Sequence, residues 1–106
     1  MRIAQVMGNV TLSQAHPTFA RGRLRLVVPL TLEQASTGSQ EDLATSEELL
    51  VAWDDLGAGQ GTLVALAEGP EAAQPYYPEL KPIDAAIVAL LDSLSFSPAA
   101  LEQLKQ

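Results

Sequence analysis

The sequence of 106 residues contains no cysteine and only one histidine. Without cysteine the chain has no disulfide, no thiolate metal ligand and no cysteine nucleophile, and a reducing compartment suits it. No run of about 18 apolar residues occurs, and polar residues interrupt the start of the chain too early for a signal peptide. These absences predict a soluble cytoplasmic protein with no membrane segment, no metal site and no cofactor.

Basic residues are also scarce, because 6 lysines and arginines stand against 13 acidic residues and the formal net charge is −7. The first 32 residues contain no acid and hold four of the basic residues: Arg2, Arg21, Arg23 and Arg25. A chain this acidic repels phosphate backbones, so a nucleic-acid partner is not expected. The uneven charge suggests instead that Arg23 and Arg25 meet the acidic part of a neighbouring copy in a head-to-tail ring.

The sequence does contain short apolar segments that are separated by turn residues. Four of them have the pattern of β-strands: residues 4–12, 23–30, 49–53 and 62–67. Residues 33–48 show no apolar periodicity and predict a flexible loop. Residues 97–104 begin with Ser-Pro and predict a short C-terminal helix. We therefore predict one mostly-β domain over residues 1–106, built as a small barrel.

Residues 83–91 are apolar apart from Asp84, so their periodicity does not distinguish a buried helix from a strand that is apolar on both faces. The alanines in this segment favour a helix. A fifth strand stays open as the alternative.

Apolar residues also occur where a single barrel has no use for them. Ile3 and Met7 break the alternation of the first strand, and Val27 and Pro29 fall on the predicted outer face of the second. A small barrel has only one interior, so apolar side chains on the outside need a partner. This pattern predicts a protein that assembles with copies of itself.

Few residues could support catalysis. His16 lies in a loop beside Pro17, and Asp54 and Asp55 follow a strand, where adjacent acids usually form a turn. A small enzyme that uses these three residues stays open as an alternative. No nucleophile motif and no calcium-loop spacing is present, and the prediction is that the chain is not an enzyme.

Two further features could support ligand binding. Trp53, Tyr76 and Tyr77 could form a stacking platform, so a barrel that binds nucleic acid or another ligand is the first alternative. The glycines of residues 57–61 lack the spacing of a phosphate-binding loop. They instead predict positive φ angles and a close approach of two backbones, in a turn or at a subunit contact.

Several segments together resemble the vertex-protein family of bacterial microcompartments, which includes the ethanolamine-utilisation and carboxysome pentamer subunits. They are MRIAQVMGNV (residues 1–10), SQAHP (13–17), LVAWDDLGAGQG (50–61) and PIDAAIVALLD (82–92). The similarity covers almost the whole chain, and it depends on the order and spacing of these segments.

The resemblance implies a five-stranded barrel like an oligonucleotide-binding (OB) fold, in which residues 83–91 form a strand. It implies a structural protein whose homopentamers occupy the vertices of a polyhedral shell, beside hexameric shell proteins. Two segments are then the candidate assembly contacts: Gly57, Ala58, Gly59 and Gly61, and Pro82, Ile83 and Asp84.

Overall fold

Five β-strands form a closed barrel in the computed structural model, which describes residues 1–20, 22–31, 48–95, 97 and 99. The strands are β1 (Arg2–Val10), β2 (Arg23–Pro29), β3 (Leu50–Asp54), β4 (Leu63–Glu68) and β5 (Ala85–Leu90). Their order around the barrel is β1, β2, β3, β5 and β4, and β4 pairs with β1. Only the pairing of β3 with β5 is parallel. The prediction of a mostly-β, five-stranded barrel is confirmed.

Small and medium apolar side chains fill the barrel, as the narrow interior of a small barrel requires. Every strand contributes to this core, and so does the loop between β3 and β4. The buried residues are Ala4, Val6, Val27, Ala52, Ala58, Val64, Leu66, Ala85 and Ile87.

The face of β2 that points into the barrel is the one that was predicted to point outward. Val27 and Pro29 are buried, whereas Leu24 and Leu26 are only half-buried. Alternation separates the two faces of a strand but does not say which of them is interior. The prediction that Val27 and Pro29 lie outside is therefore wrong, and Leu24 instead packs against Trp53 outside the barrel.

The first strand carries a β-bulge. Val6 pairs with Val27 and Gly8 pairs with Leu26, so Met7 has no partner residue in β2. A bulge inserts an extra residue and turns its side chain out of register, which explains why Met7 breaks the alternation and is exposed. The outside of the barrel also carries exposed apolar side chains on other strands; Val51 of β3, for example, is 46% exposed.

Residues 85–90 form a strand, so the preference of their alanines for a helix was misleading. Ala85 and Ile87 point into the barrel, and Ala86 is buried on the opposite face beneath Trp53. Alanine suits a strand that is covered on both faces, because its small side chain lets the neighbouring layers come close. Tertiary packing has overridden local propensity here, as the family resemblance implied.

A segment between β4 and β5 crosses the outside of the barrel, and we call it the strap (residues 69–84). It contains two 3₁₀ turns, Gly69–Ala72 and Gln74–Tyr76. The strap covers an aromatic cluster that consists of Trp53, Ala72 and Ala86 with Phe19, Leu24, Tyr76 and Ile83 packed around them. The molecule therefore has a second, smaller core outside the barrel.

Two predictions fall largely on residues that the structure does not describe, and a third extends over those residues. The loop of residues 33–48 lies outside the described residues except for Glu48, and so does most of the helix of residues 97–104. The single domain over residues 1–106 includes both segments and stays a prediction. Among the described residues, no helix has the length and apolar character needed to cross a membrane.

Candidate assembly site

The buried carboxylate of Asp54 organises one end of the barrel. Asp54 is the last residue of β3 and is 1% exposed. Its Oδ1 accepts hydrogen bonds from the backbone N–H groups of Leu56 and Gly57 at 2.9 and 3.1 Å. Its Oδ2 accepts from the N–H of Ala58 at 2.8 Å and from Arg25 Nε at 2.9 Å. One side chain thus holds the following loop against its own barrel.

Two opposing effects act on the pKa of Asp54. Burial raises the pKa of this carboxyl, whereas hydrogen bonds from Arg25 and from three backbone N–H groups lower it. The hydrogen bonds together outweigh burial, so the pKa of Asp54 lies below its usual value. The guanidinium of Arg25 also donates to Asn9 Oδ1. Arg25, a predicted contact between copies, therefore uses its charge within its own chain.

Arg23 occupies a different environment from Arg25. Its side chain is exposed at the start of β2, and it makes no ion pair with any residue that the structure describes. Of the two predicted arginine contacts, Arg23 is thus the one whose charge is available to a neighbouring molecule. Both contacts stay predictions.

The glycine-rich loop uses its glycines in two ways. Gly57 and Gly61 have φ angles of +87° and +86°, which L-residues rarely adopt. Gly61 also binds β1, since its N–H donates to the Val6 carbonyl at 2.8 Å and its own carbonyl accepts from Gln5 Nε2 at 3.0 Å. Gly59 is exposed without positive φ. The prediction of positive φ angles is confirmed for Gly57 and Gly61.

The second predicted contact segment immediately precedes β5. Ile83 packs against the aromatic cluster, so this side chain has a role inside the chain. Pro82 and Asp84 are exposed, and the Asp84 carbonyl accepts a hydrogen bond from the N–H of Gly69 at 2.8 Å. The two predicted segments therefore each combine internal contacts with an exposed side, and their contacts with other copies stay predictions.

Lys81 is a residue that the sequence analysis missed. Its side chain is 3% exposed, and its Nζ lies 4.0 Å from the centroid of the Trp53 ring and 5.2 Å from that of Tyr76. The ammonium donates to the carbonyl of Thr18 and lies 3.6 Å from Glu79 Oε1. A lone lysine beside tyrosines and prolines is a weak signal, and only the fold reveals its burial.

The residues that could have supported catalysis or stacking are placed differently from what those functions need. His16 is exposed and caps the 3₁₀ turn Pro17–Phe19 through Thr18. The oxygens of Asp54 are occupied, and Asp55 Oδ2 accepts from the Tyr76 hydroxyl at 3.0 Å. Burial and this hydrogen bond raise the pKa of Tyr76 to about 12. Trp53 is buried, so its ring is not available as a stacking platform.

A charged cluster ties the residue shortly before β3, Glu48, and the last residue of β4, Glu68, to Arg2 in the first strand. Arg2 Nε and Nη2 donate to the two carboxylate oxygens of Glu68 at 2.6 and 2.8 Å. Arg2 also forms a two-point hydrogen bond with Glu48, at 3.1 and 2.7 Å. These hydrogen bonds lower the pKa of both Glu68 and Glu48.

This cluster should make the fold sensitive to acid. A carboxyl with a depressed pKa contributes stability that is present above its unfolded pKa, about 4.3 for glutamate, and is lost as the pH falls through the folded value. We expect the melting temperature of Arg2→Gln to fall less than that of the wild type between about pH 6 and pH 3. Arg23→Gln is the matched control and should keep the wild-type acid dependence; parallel curves for Arg2→Gln and wild type would contradict the assignment.

Comparison with known proteins places the barrel in a family. Residues 1–92 match the family described as ethanolamine utilisation protein EutN/carboxysome. The carboxysome shell vertex protein CcmL of Thermosynechococcus vestitus is 35% identical, over 90% of this chain and 87% of that protein. The microcompartment shell vertex protein PduN of Salmonella typhimurium is 32% identical, over 90% of this chain and 99% of that protein.

Solved structures agree with the sequence matches. The GrpN pentameric microcompartment shell protein from Rhodospirillum rubrum superimposes with a TM-score of 0.69 at 27% identity. The match covers 92% of this chain and 100% of that protein. The fold and the sequence matches thus agree on one class of relatives, the small barrel proteins that are named shell proteins of microcompartments or carboxysomes. The chain belongs to the EutN/CcmL family, and the resemblance noted in the sequence is confirmed.

Proposed function

We propose that the chain is a structural subunit of a bacterial microcompartment shell and that it forms homopentamers at the vertices of that shell. The observation that carries this proposal is the family match over residues 1–92, which includes all five strands and both candidate contact segments. Relatives of similar length are named shell vertex proteins, and one solved neighbour is named a pentameric shell protein. The protein would then act inside the bacterial cytoplasm, within the shell, without catalysing a reaction.

Such a subunit acts through the shape of its assembly. A head-to-tail contact that repeats with a fixed rotation closes into a ring, and a five-membered ring supplies the curvature that flat sheets of hexamers lack. Hexameric shell proteins are therefore the expected partners. A fixed rotation needs a rigid subunit, and the locked loop after Asp54 and the packed strap support that requirement.

A measurement of mass in solution tests the proposed pentamer. Size-exclusion chromatography with light scattering should give about five times the chain mass of 11.2 kDa. The mass should stay the same across a range of protein concentrations, because in a closed ring both contact surfaces of every subunit are occupied. A monomer at high concentration, or a mass near six chains, would contradict the proposal.

A further inference from the structure

The tip of the strap, residues 77–80, exposes two large apolar side chains that line the same groove. Tyr77 is 78% exposed and Leu80 is 82% exposed. They border a groove of about 320 Å³ whose other walls include Pro70, Ala73 and Pro82. Single exposed apolar residues are ordinary, but a cluster of them on one projecting segment marks an interaction surface.

The body of the strap beneath this tip is anchored to the barrel. Lys81 connects three segments that are distant in sequence, because it donates to Thr18, lies over the ring of Trp53 and belongs to the strap itself. An ammonium buried without partners is strongly unfavourable, so the Thr18 carbonyl, the nearby Glu79 carboxylate and the aromatic face together make this position tolerable. Lys81 therefore fixes the position of the tip relative to the barrel.

A second anchor lies on the other side of the tip. Tyr76 meets Trp53 edge-on with ring centroids 6.3 Å apart, and its hydroxyl donates to Asp55. Ala72 is fully buried in the same cluster. Anchors on both sides of Tyr77 and Leu80 order the tip before any partner arrives, which reduces the entropy lost on association.

The charges around the tip favour a second copy of this chain as the partner. The strap carries exposed carboxylates at Glu71 and Asp84, while the carboxylate of Glu79 lies 3.6 Å from Lys81 Nζ. The opposite charge is found on the same chain at Arg23, which is exposed and forms no ion pair within the described residues. An acidic strap and an available arginine on one molecule are complementary between neighbours, as in a head-to-tail contact.

We propose that Tyr77 and Leu80 contact the neighbouring copy of the chain and that Lys81 is the positioning residue that holds them there. This inference rests on the proposed homopentamer and names the surface that would join its subunits. The neighbour contributes its own exposed Arg23.

The first experiment removes apolar surface from the tip and leaves the fold alone. We expect Leu80→Ser and Tyr77→Ser to weaken subunit association at least about tenfold, measured by sedimentation across a dilution series. The emission of Trp53, the only tryptophan, should not change, because neither side chain belongs to the aromatic cluster. Leu12→Ser is the matched control, since Leu12 is an exposed leucine outside the strap and its loss should leave association unchanged.

The second experiment tests the positioning role of Lys81. Lys81→Met keeps an apolar stem but removes the ammonium, and we expect weaker association together with a red shift of Trp53 emission. Val64→Ala is the matched control for lost stability, because Val64 is buried in the barrel core away from the strap. It should lower the unfolding midpoint while the protein, when folded, associates like the wild type.

The outcomes separate this inference from the proposed function. If the wild type is not a pentamer, the proposed function fails and this inference fails with it. If the wild type is a pentamer and the two tip variants associate as tightly as Leu12→Ser, only this inference is overturned. It is also overturned if the tip variants stay pentameric and lose only their attachment to a hexameric shell protein.

Discussion

Replacing Asp54 with alanine should lower the free energy of unfolding by about 3–5 kcal/mol, the usual cost of breaking a buried ion pair. The substitution leaves Arg25 without its carboxylate and three backbone N–H groups without an acceptor. The N–H of Ala58 is buried and would lose its acceptor outright, whereas water can partly replace the carboxylate at the part-buried N–H groups of Leu56 and Gly57. Urea unfolding followed by circular dichroism measures the effect.

The neighbouring carboxylate provides the matched control. Asp55 is exposed and accepts one hydrogen bond, from Tyr76, so Asp55→Ala should cost only about 1 kcal/mol. A double-mutant cycle with Arg25→Met should show coupling to Asp54 and none to Asp55. Equal losses for the two alanine variants would contradict the role given to Asp54.

The barrel was predictable from the sequence because each of its first four strands has a recognisable pattern within its own segment. Alternation and short apolar runs place β1 to β4 within a few residues of their observed positions. The glycine-rich loop was correctly assigned positive φ angles, since Gly57 and Gly61 both adopt them. In each case the signal lies within one segment, so no knowledge of its neighbours was needed.

The errors share one physical cause, which is that they depend on contacts between distant segments. Val27 was assigned to the outer face because nothing in the sequence of β2 says which of its faces points into the barrel. Local propensity favoured a helix for residues 83–91 and left a strand open, because the segment itself does not show that both faces of residues 85–90 are covered. The family resemblance implied the strand, because it carries tertiary information that local propensity lacks.

The candidate assembly site was only partly accessible for the same reason. The unequal distribution of charge pointed to both Arg23 and Arg25, yet only a three-dimensional structure shows that Asp54 and Asn9 bind the second of them. Lys81 gave no usable signal, because its burial is created largely by Trp53 and Thr18 from other parts of the chain. Side chains that join distant segments are the ones that sequence patterns miss.

Replacing Gly22 with alanine should also be strongly destabilising, at the upper end of the roughly 1–3 kcal/mol usual for overpacking or above it. A Cβ at Gly22 would lie 2.7 Å from Trp53 Cε2 and closer still to Cζ2 and Cη2. The indole is rigid and buried, with the Phe19 ring centroid 5.7 Å away and Lys81 over its face, so it has little room to move. Urea unfolding should show the loss, and Trp53 emission should shift to the red.

The chain supplies both a control and a rescue for this effect. Gly59→Ala should change the free energy of unfolding by no more than about 0.5 kcal/mol, because its nearest contact would be Thr62 Oγ1 at 3.8 Å. Trp53→Phe removes the ring atoms that clash, so adding Gly22→Ala to that variant should cost much less than it costs the wild type. If Gly22→Ala were as stable as Gly59→Ala, the close approach of this backbone to the tryptophan would not hold in solution. The aromatic cluster would then be looser than the strap needs in order to hold Tyr77 and Leu80 in place.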